Sequence, residues 1–144
     1  MKEVRCAVIG CGSMAGSLVQ HIPDMPNATL IAGYDPDPAQ SRTLTGKYGG
    51  EPVDDLDALL ARDDIDAVIV ATPGFAHTDA VERAFAAGKH VFVEKPMALT
   101  PDECDRMIRA RDASGKKLMV GQVLRYIGVF NYTRELHAAG KLGD

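Results

Sequence analysis

The run Val4-Arg5-Cys6-Ala7-Val8-Ile9 passes without a linker into Gly10-Cys11-Gly12-Ser13-Met14-Ala15-Gly16. The first six residues read as a short strand, and the glycines that follow stop it. From Ser13 to about Ile22 the chain reads as a helix. The junction fits the pattern G-x-G-x-x-G/A, with Ala15 in the third place. In such a junction the first glycine allows a tight turn, and the second lets the backbone approach a pyrophosphate. The small third residue lets helix and strand pack closely. The N–H groups and positive dipole end of the helix then hold phosphates. Glycines also make ordinary turns, so the context carries the weight: strand before, helix after, and an acid ending the next strand.

That acid is Asp35, at the end of a second strand Thr29–Tyr34 and 23 residues beyond Gly12. A carboxylate there binds the 2′-hydroxyl of an adenosine ribose. Its charge repels a 2′-phosphate, so NAD is expected rather than NADP. The plainer alternative is that Asp35 only opens a turn with Pro36. Asp37 adds negative charge, and Arg42 lies too far into the following helix to answer it.

Outward from this nucleus, strands and helices alternate. A helix over Ala39–Tyr48 precedes a short element near Val53 and a small helix around Asp55–Ala61. Ala67–Val70 is apolar throughout, as in a strand buried on both faces. A helix over Thr78–Ala87 leads to a strand at His90–Val93. Thr100, Pro101 and Glu103 form a capping box with proline at the first helical position, opening a helix that runs to about Ala113. Leu118–Val120 is a last strand, and Val129–Ala139 a last helix. The alternation implies βαβ units and an α/β fold, a doubly wound parallel sheet with right-handed crossovers.

The 144 residues suit one domain, and with 46% hydrophobic residues they can bury a core. A net charge of −4 argues against a nucleic-acid surface. No apolar run approaches the roughly 18 residues that cross a bilayer. Three cysteines, Cys6, Cys11 and Cys104, show no metal-ligand or disulfide spacing, so no metal is expected. The default is a cytoplasmic protein.

Three further segments follow strand ends: Ala71-Thr72-Pro73-Gly74, Glu94-Lys95-Pro96 and Gly121-Gln122. In a parallel sheet these share an edge with the phosphate loop, where open α/β sheets bind ligands. Hydride transfer needs a group to exchange the hydroxyl proton as a carbonyl forms, and Lys95 is placed to do so. It reads equally as a surface lysine in a turn. His77 either lines the pocket or caps a helix. His21, His90 and His137 show no partner pattern.

Together, the phosphate loop Gly10–Ala15, Ala71-Thr72-Pro73 with His77, and Gly88-Lys89-His90-Val91 running into Glu94-Lys95-Pro96 resemble the Gfo/Idh/MocA oxidoreductases. Val120-Gly121-Gln122-Val123-Leu124-Arg125-Tyr126 is similar to a further segment of that family, so the resemblance covers essentially the whole chain. It implies an N-terminal Rossmann domain, here residues 1–122, that binds NAD or, less favoured, NADP. Gly10, Gly12, Ser13, Met14, Ala15, Asp35, Ala71, Thr72, Pro73, His77, Glu94, Lys95 and Gln122 are the expected cofactor contacts. Lys95 is implied as the proton-handling catalytic residue, Glu94 as a neighbour of the nicotinamide ribose, and the Lys95–Pro96 peptide as cis. The implied substrate is a sugar, polyol or similar small molecule. Residues 123–144 read as a connecting segment and helix leading to a C-terminal substrate domain absent from this chain. Without it the chain is expected to bind cofactor, to turn over poorly and to associate with itself through exposed apolar surface. Gly74 departs from the asparagine many members carry, and Gly128 from a frequent proline. The rival reading is a non-catalytic dinucleotide-binding sensor or regulatory module. A Rossmann domain for another adenine-containing ligand fits Glu94-Lys95-Pro96 poorly.

Overall fold

The computed structural model describes residues 3–143. Its strands are β1 (Val4–Ile9), β2 (Ala28–Tyr34), β3 (Glu51–Val53), β4 (Ala67–Val70), β5 (His90–Val93) and β6 (Leu118–Val120). They form one sheet in the order β3-β2-β1-β4-β5-β6. Every pairing is parallel. The connecting helices are α1 (Ser13–Val19), α2 (Pro38–Tyr48), α3 (Leu56–Leu60), α4 (His77–Ala86) and α5 (Pro101–Ser114), and α6 (Gly128–Ala138) follows the last strand. The strand order reverses between β1 and β4, the place where such sheets open a crevice for ligands.

The register places that crevice. Ile9 pairs with Tyr34 on one side and Val70 on the other, Val70 with Val93, and Val93 with Val120. The strands therefore end level, and Gly10, Asp35, Ala71, Glu94 and Gly121 leave the sheet along one edge. Hydrogen bonds continue past the strands there. The N–H groups of Gly10, Ala71, Glu94 and Gly121 donate to the carbonyls of Tyr34, Ile9, Val70 and Val93 at 2.8–2.9 Å.

Two apolar layers hold the sheet. On one face Val68, Val70, Val91 and Val93 pack with Leu59, Leu60, Val81, Phe85 and Met107 from α3, α4 and α5. On the other, Val8 and Leu30 pack with Ala15, Val19 and Leu44 from α1 and α2. Fully burying one such side chain stabilises by about 1.5–3 kcal/mol. The second layer stops short of β5 and β6. There Phe92 is half-buried and Met119 is 46% exposed. Hence β4 is covered unequally: Val68 and Val70 are inaccessible, while on the other face Ala67 is half-buried and Ile69, also half-buried, packs against the second layer. Its uniformly apolar sequence does not by itself tell one covered face from two.

Local signals account for most boundaries. The capping box forms as expected, with the Glu103 N–H donating to Thr100 Oγ1 and the Thr100 N–H to the Glu103 carboxylate. The first helix is shorter than its sequence suggests. It ends at Val19, and a separate 3₁₀ turn takes Ile22–Asp24, where Pro23 has no N–H with which to continue an α-helical ladder. Another 3₁₀ turn, Gly74–Ala76, sets α4 off at His77 rather than Thr78. Helix α6 buries no residue. Along the stretch into it, Leu124, Tyr126, Ile127, Val129, Phe130 and Tyr132 are exposed. No helix among the described residues is long and apolar enough to cross a membrane.

Candidate functional site

The two glycines of the phosphate loop differ in what demands them. Gly10 leaves β1 at φ +87°, and a Cβ there would lie 2.7 Å from the Thr72 nitrogen. Only glycine permits both that left-handed backbone and that closeness to the loop after β4. Gly12 has an ordinary φ of −73°, and a Cβ on it would meet no atom within 4 Å. The fold does not require glycine there, but a ligand lying against the backbone does. Ser13 and Met14 then open α1, whose first turn has no acidic residue and no capping side chain. Ala15 is fully buried against Val8 and Val19.

Asp35 is held over this loop. Its Oδ2 accepts the Cys11 N–H at 2.7 Å, and its Oδ1 accepts the Asp37 N–H at 2.9 Å. Each carboxylate oxygen keeps lone-pair capacity for a further donor. Cys11 lies beneath, 4% exposed, with its Sγ–H donating to the Tyr34 carbonyl at 3.4 Å. Burial, and then the Asp35 charge, push its thiol up to about 12. It therefore stays a neutral thiol at physiological pH and behaves as a core residue.

A cavity of about 700 Å³ spreads over the switch point. Gly10, Gly12, Ser13, Met14, Asp35, Ala71, Thr72 and Pro73 line it, together with Pro36, Asp37, Gln40, Phe75 and Ala76. The wall carries no lysine, arginine or histidine. Thr72 supplies its most informative atom: among the described residues, Thr72 Oγ1 is the buried side-chain polar atom that has no hydrogen-bond partner. Such an atom costs free energy unless a ligand or water satisfies it.

The other expected contacts stand off this wall. Glu94 is 6% exposed, and its Oε2 accepts the Lys95 N–H at 3.0 Å. Gly121 makes room for it, since a Cβ there would come within 3.1 Å of Glu94 Oε1. Lys95 and Gln122 are exposed at the same sheet edge, and the Lys95–Pro96 peptide is cis. His77 lies under the surface, 1% exposed, and makes no helix cap. Its Nδ1 is 2.9 Å from the Pro96 carbonyl and its Nε2 is 2.9 Å from the Thr72 carbonyl. Sequence reasoning did not single out Gln40 or Phe75; the one available signal for Phe75, 74% exposed, is an aromatic in the segment between β4 and α4. No group of three or more His, Cys, Asp or Glu among the described residues is arranged to hold a metal ion.

The family described as an oxidoreductase family with an NAD-binding Rossmann fold, GFO_IDH_MocA, matches residues 4–122. The chain belongs to this family. A 2,7-anhydro-N-acetylneuraminate hydratase from Mediterraneibacter gnavus is 34% identical over 143 residues, 99% of this chain and 38% of that protein. The structure of scyllo-inositol dehydrogenase from Lactobacillus casei with NAD(H) and scyllo-inositol superposes with a TM-score of 0.90 at 28% identity. It covers 99% of this chain and 43% of that one. A 3-ketoreductase from Actinomadura kijaniata, in complex with NADP and TDP-benzene, gives 0.89 at 29% identity over 96% of this chain and 43% of its own. The Gfo/Idh/MocA chain described here thus spans about two fifths of the length of the relatives it matches.

Proposed function

We propose that this Rossmann domain binds NAD(H) across its level strand ends. We further propose that it serves an enzyme moving a hydride between the nicotinamide and a carbinol or carbonyl carbon of a sugar or polyol. The observation that carries this reading is the cavity at the switch point. It joins an unpartnered Thr72 Oγ1, a carboxylate fixed at Asp35 and open space over Gly12. An adenine dinucleotide fits that donor and acceptor set. Gly12, Ser13 and Met14 present backbone N–H groups to the pyrophosphate, Asp35 accepts from the adenosine ribose, and Thr72 Oγ1 gains a partner. Phe75 and Pro73 offer apolar surface at the rim.

The same wall favours NAD(H) over NADP(H). A 2′-phosphate beside Asp35 would meet Asp35 and Asp37 with no cation in the lining, a repulsion rather than a salt bridge. The bound nicotinamide supplies the hydride acceptor or donor. The protein's share is to hold it and to manage the proton. Lys95, at the end of β5, takes the proton from the substrate hydroxyl or returns it. Glu94, buried beside it, accepts from the nicotinamide ribose. Gln122 is a further polar group at that end.

Titrations of the chain with NADH and NADPH test the binding half: NADH binds more tightly, and a preference for NADPH overturns the assignment. A chimera carrying the remaining length of the scyllo-inositol dehydrogenase relative tests the chemical half. It oxidises polyols with NAD, and Lys95→Ala abolishes turnover while leaving NADH binding in place. Undiminished turnover by Lys95→Ala would show that another group carries the proton.

A further inference from the structure

Two loops must keep a fixed separation if the proposed reaction is to run, one at the dinucleotide and one at the proton-handling lysine. Thr72 belongs to the loop after β4 and lines the cavity. Pro96 belongs to the loop after β5 and follows Lys95 directly. Neighbouring strands carry these loops; Leu99 and Pro96 lie close over Gly74, where a Cβ would come within 3.2 Å of Leu99, and one side chain makes polar contacts with both loops. The His77 ring reaches the Thr72 carbonyl through Nε2 and the Pro96 carbonyl through Nδ1, each at 2.9 Å. At 1% exposure it has no access to solvent that could replace either contact.

Both partners are carbonyl oxygens, which only accept. A ring carrying one N–H donates to one of them, and a ring carrying two donates to both. With one N–H the imidazole ties one loop and meets the other carbonyl with a lone pair; with two it hydrogen-bonds both and spans a gap that no single backbone hydrogen bond covers. Its position is itself fixed, since His77 is the first residue of α4 and is followed by the buried Thr78, Ala80 and Val81.

We propose that His77 is a positioning residue: a strut that sets the Lys95 loop against the dinucleotide-facing Thr72 loop without touching the cofactor. This rests on the reading of the site given above and assigns His77 a different part from the cofactor contact expected of it. The two ring nitrogens act on different partners, so they can be removed separately. In His77→Asn the side-chain amide nitrogen stands two bonds from Cβ, like Nδ1, and keeps the tie to Pro96. In His77→Gln it stands three bonds away, like Nε2, and keeps the tie to Thr72.

The test measures two quantities in the wild-type chain and both variants. One is the NADH dissociation constant. The other is the acetylation rate of Lys95 in the free chain, read by mass spectrometry against Lys47 as internal reference. His77→Asn should weaken NADH about tenfold, the loss of one hydrogen bond worth about 1.4 kcal/mol, with Lys95 reactivity near wild type. His77→Gln should do the reverse, changing Lys95 reactivity severalfold with NADH affinity nearly kept. A histidine that only stabilises the fold would lower the melting temperature in both variants and split neither readout. That outcome, or wild-type values in both variants, overturns the strut. Failure of the wild-type chain to bind NADH overturns the proposed function instead, and the Lys95 rates still decide the strut.

Discussion

Replacing Gly12 with valine should abolish dinucleotide binding and leave the fold standing, whereas alanine at Gly10 should destabilise the fold itself. Gly12 sits at φ −73° and ψ −168°, backbone that any residue adopts, and its Cβ position is empty to 4 Å. Valine is a poorer helix N-cap than glycine by about 1 kcal/mol. Narrowing the unfolded chain's freedom returns about 0.4–1 kcal/mol. The net change is therefore within about 1 kcal/mol, a melting shift of only about 2–4 °C. Binding is another matter. The branched side chain fills the space where a pyrophosphate must meet the backbone, removing at least two charge-assisted hydrogen bonds of about 1.5–3 kcal/mol each. The dissociation constant should rise at least about 100-fold. At Gly10 an added Cβ meets the Thr72 nitrogen at 2.7 Å and the Ala71 carbonyl carbon at 2.9 Å. The left-handed backbone costs about 1–2 kcal/mol more, so β1 and β4 must part at their ends. Thermal unfolding beside NADH fluorescence titration reads both effects. Gly12→Val binding NADH like wild type, or melting as low as Gly10→Ala, would refute the division of labour between the two glycines.

Asp35→Ser should narrow the preference for NADH over NADPH by about tenfold, measured by calorimetry, because one of the two carboxylates facing a 2′-phosphate is gone. Lys89, 7% exposed, donates through Nζ to the carbonyls of Arg62 and Ile65. Lys89→Met should cost about 2–4 kcal/mol by orphaning both, seen as a lower denaturant midpoint with NADH affinity unchanged. The Cys11 thiol rises from 9.0 to about 12 on folding, so the folded state favours its protonated form. Stability is then level below about pH 9 and falls as pH rises towards 12; Cys11→Ala should flatten that alkaline slope in melts at pH 8 and 10. The exposed apolar residues from Leu124 to Tyr132 should give concentration-dependent association in light scattering, reduced by Phe130→Lys.

What the sequence made legible was whatever a few neighbouring residues decide among themselves. Gly10 and Gly12, the Thr100–Glu103 box and the strand before the phosphate loop all fall in that class, and the parallel sheet follows from the alternation of strands and helices. The end of α1 was misplaced by three residues because Pro23 removes a ladder N–H without interrupting the apolar pattern. The outer face of β4 is covered only in part, because coverage depends on where α1 and α2 come to rest. His77 was hardest to read. Its partners are backbone carbonyls 5 and 19 residues away, and every residue type carries the same carbonyl.

The same point explains how much side-chain variation the edge tolerates. Asp35 is fixed by N–H groups of Cys11 and Asp37, Glu94 by the N–H of Lys95, and His77 by the carbonyls of Thr72 and Pro96. The strand ends are tied level by backbone hydrogen bonds. A handful of side chains thus plug into a frame made of main chain, which persists when the residues that donate it change. A relative at 28% identity still superposes with a TM-score of 0.90, as such a frame allows. If the edge binds NAD(H) as proposed, this main-chain frame sets both the cofactor's place and that of Lys95. Exchanging side chains on the cavity wall should therefore shift dinucleotide affinity and selectivity; exchanging the ties beneath it should shift the relation between cofactor and Lys95.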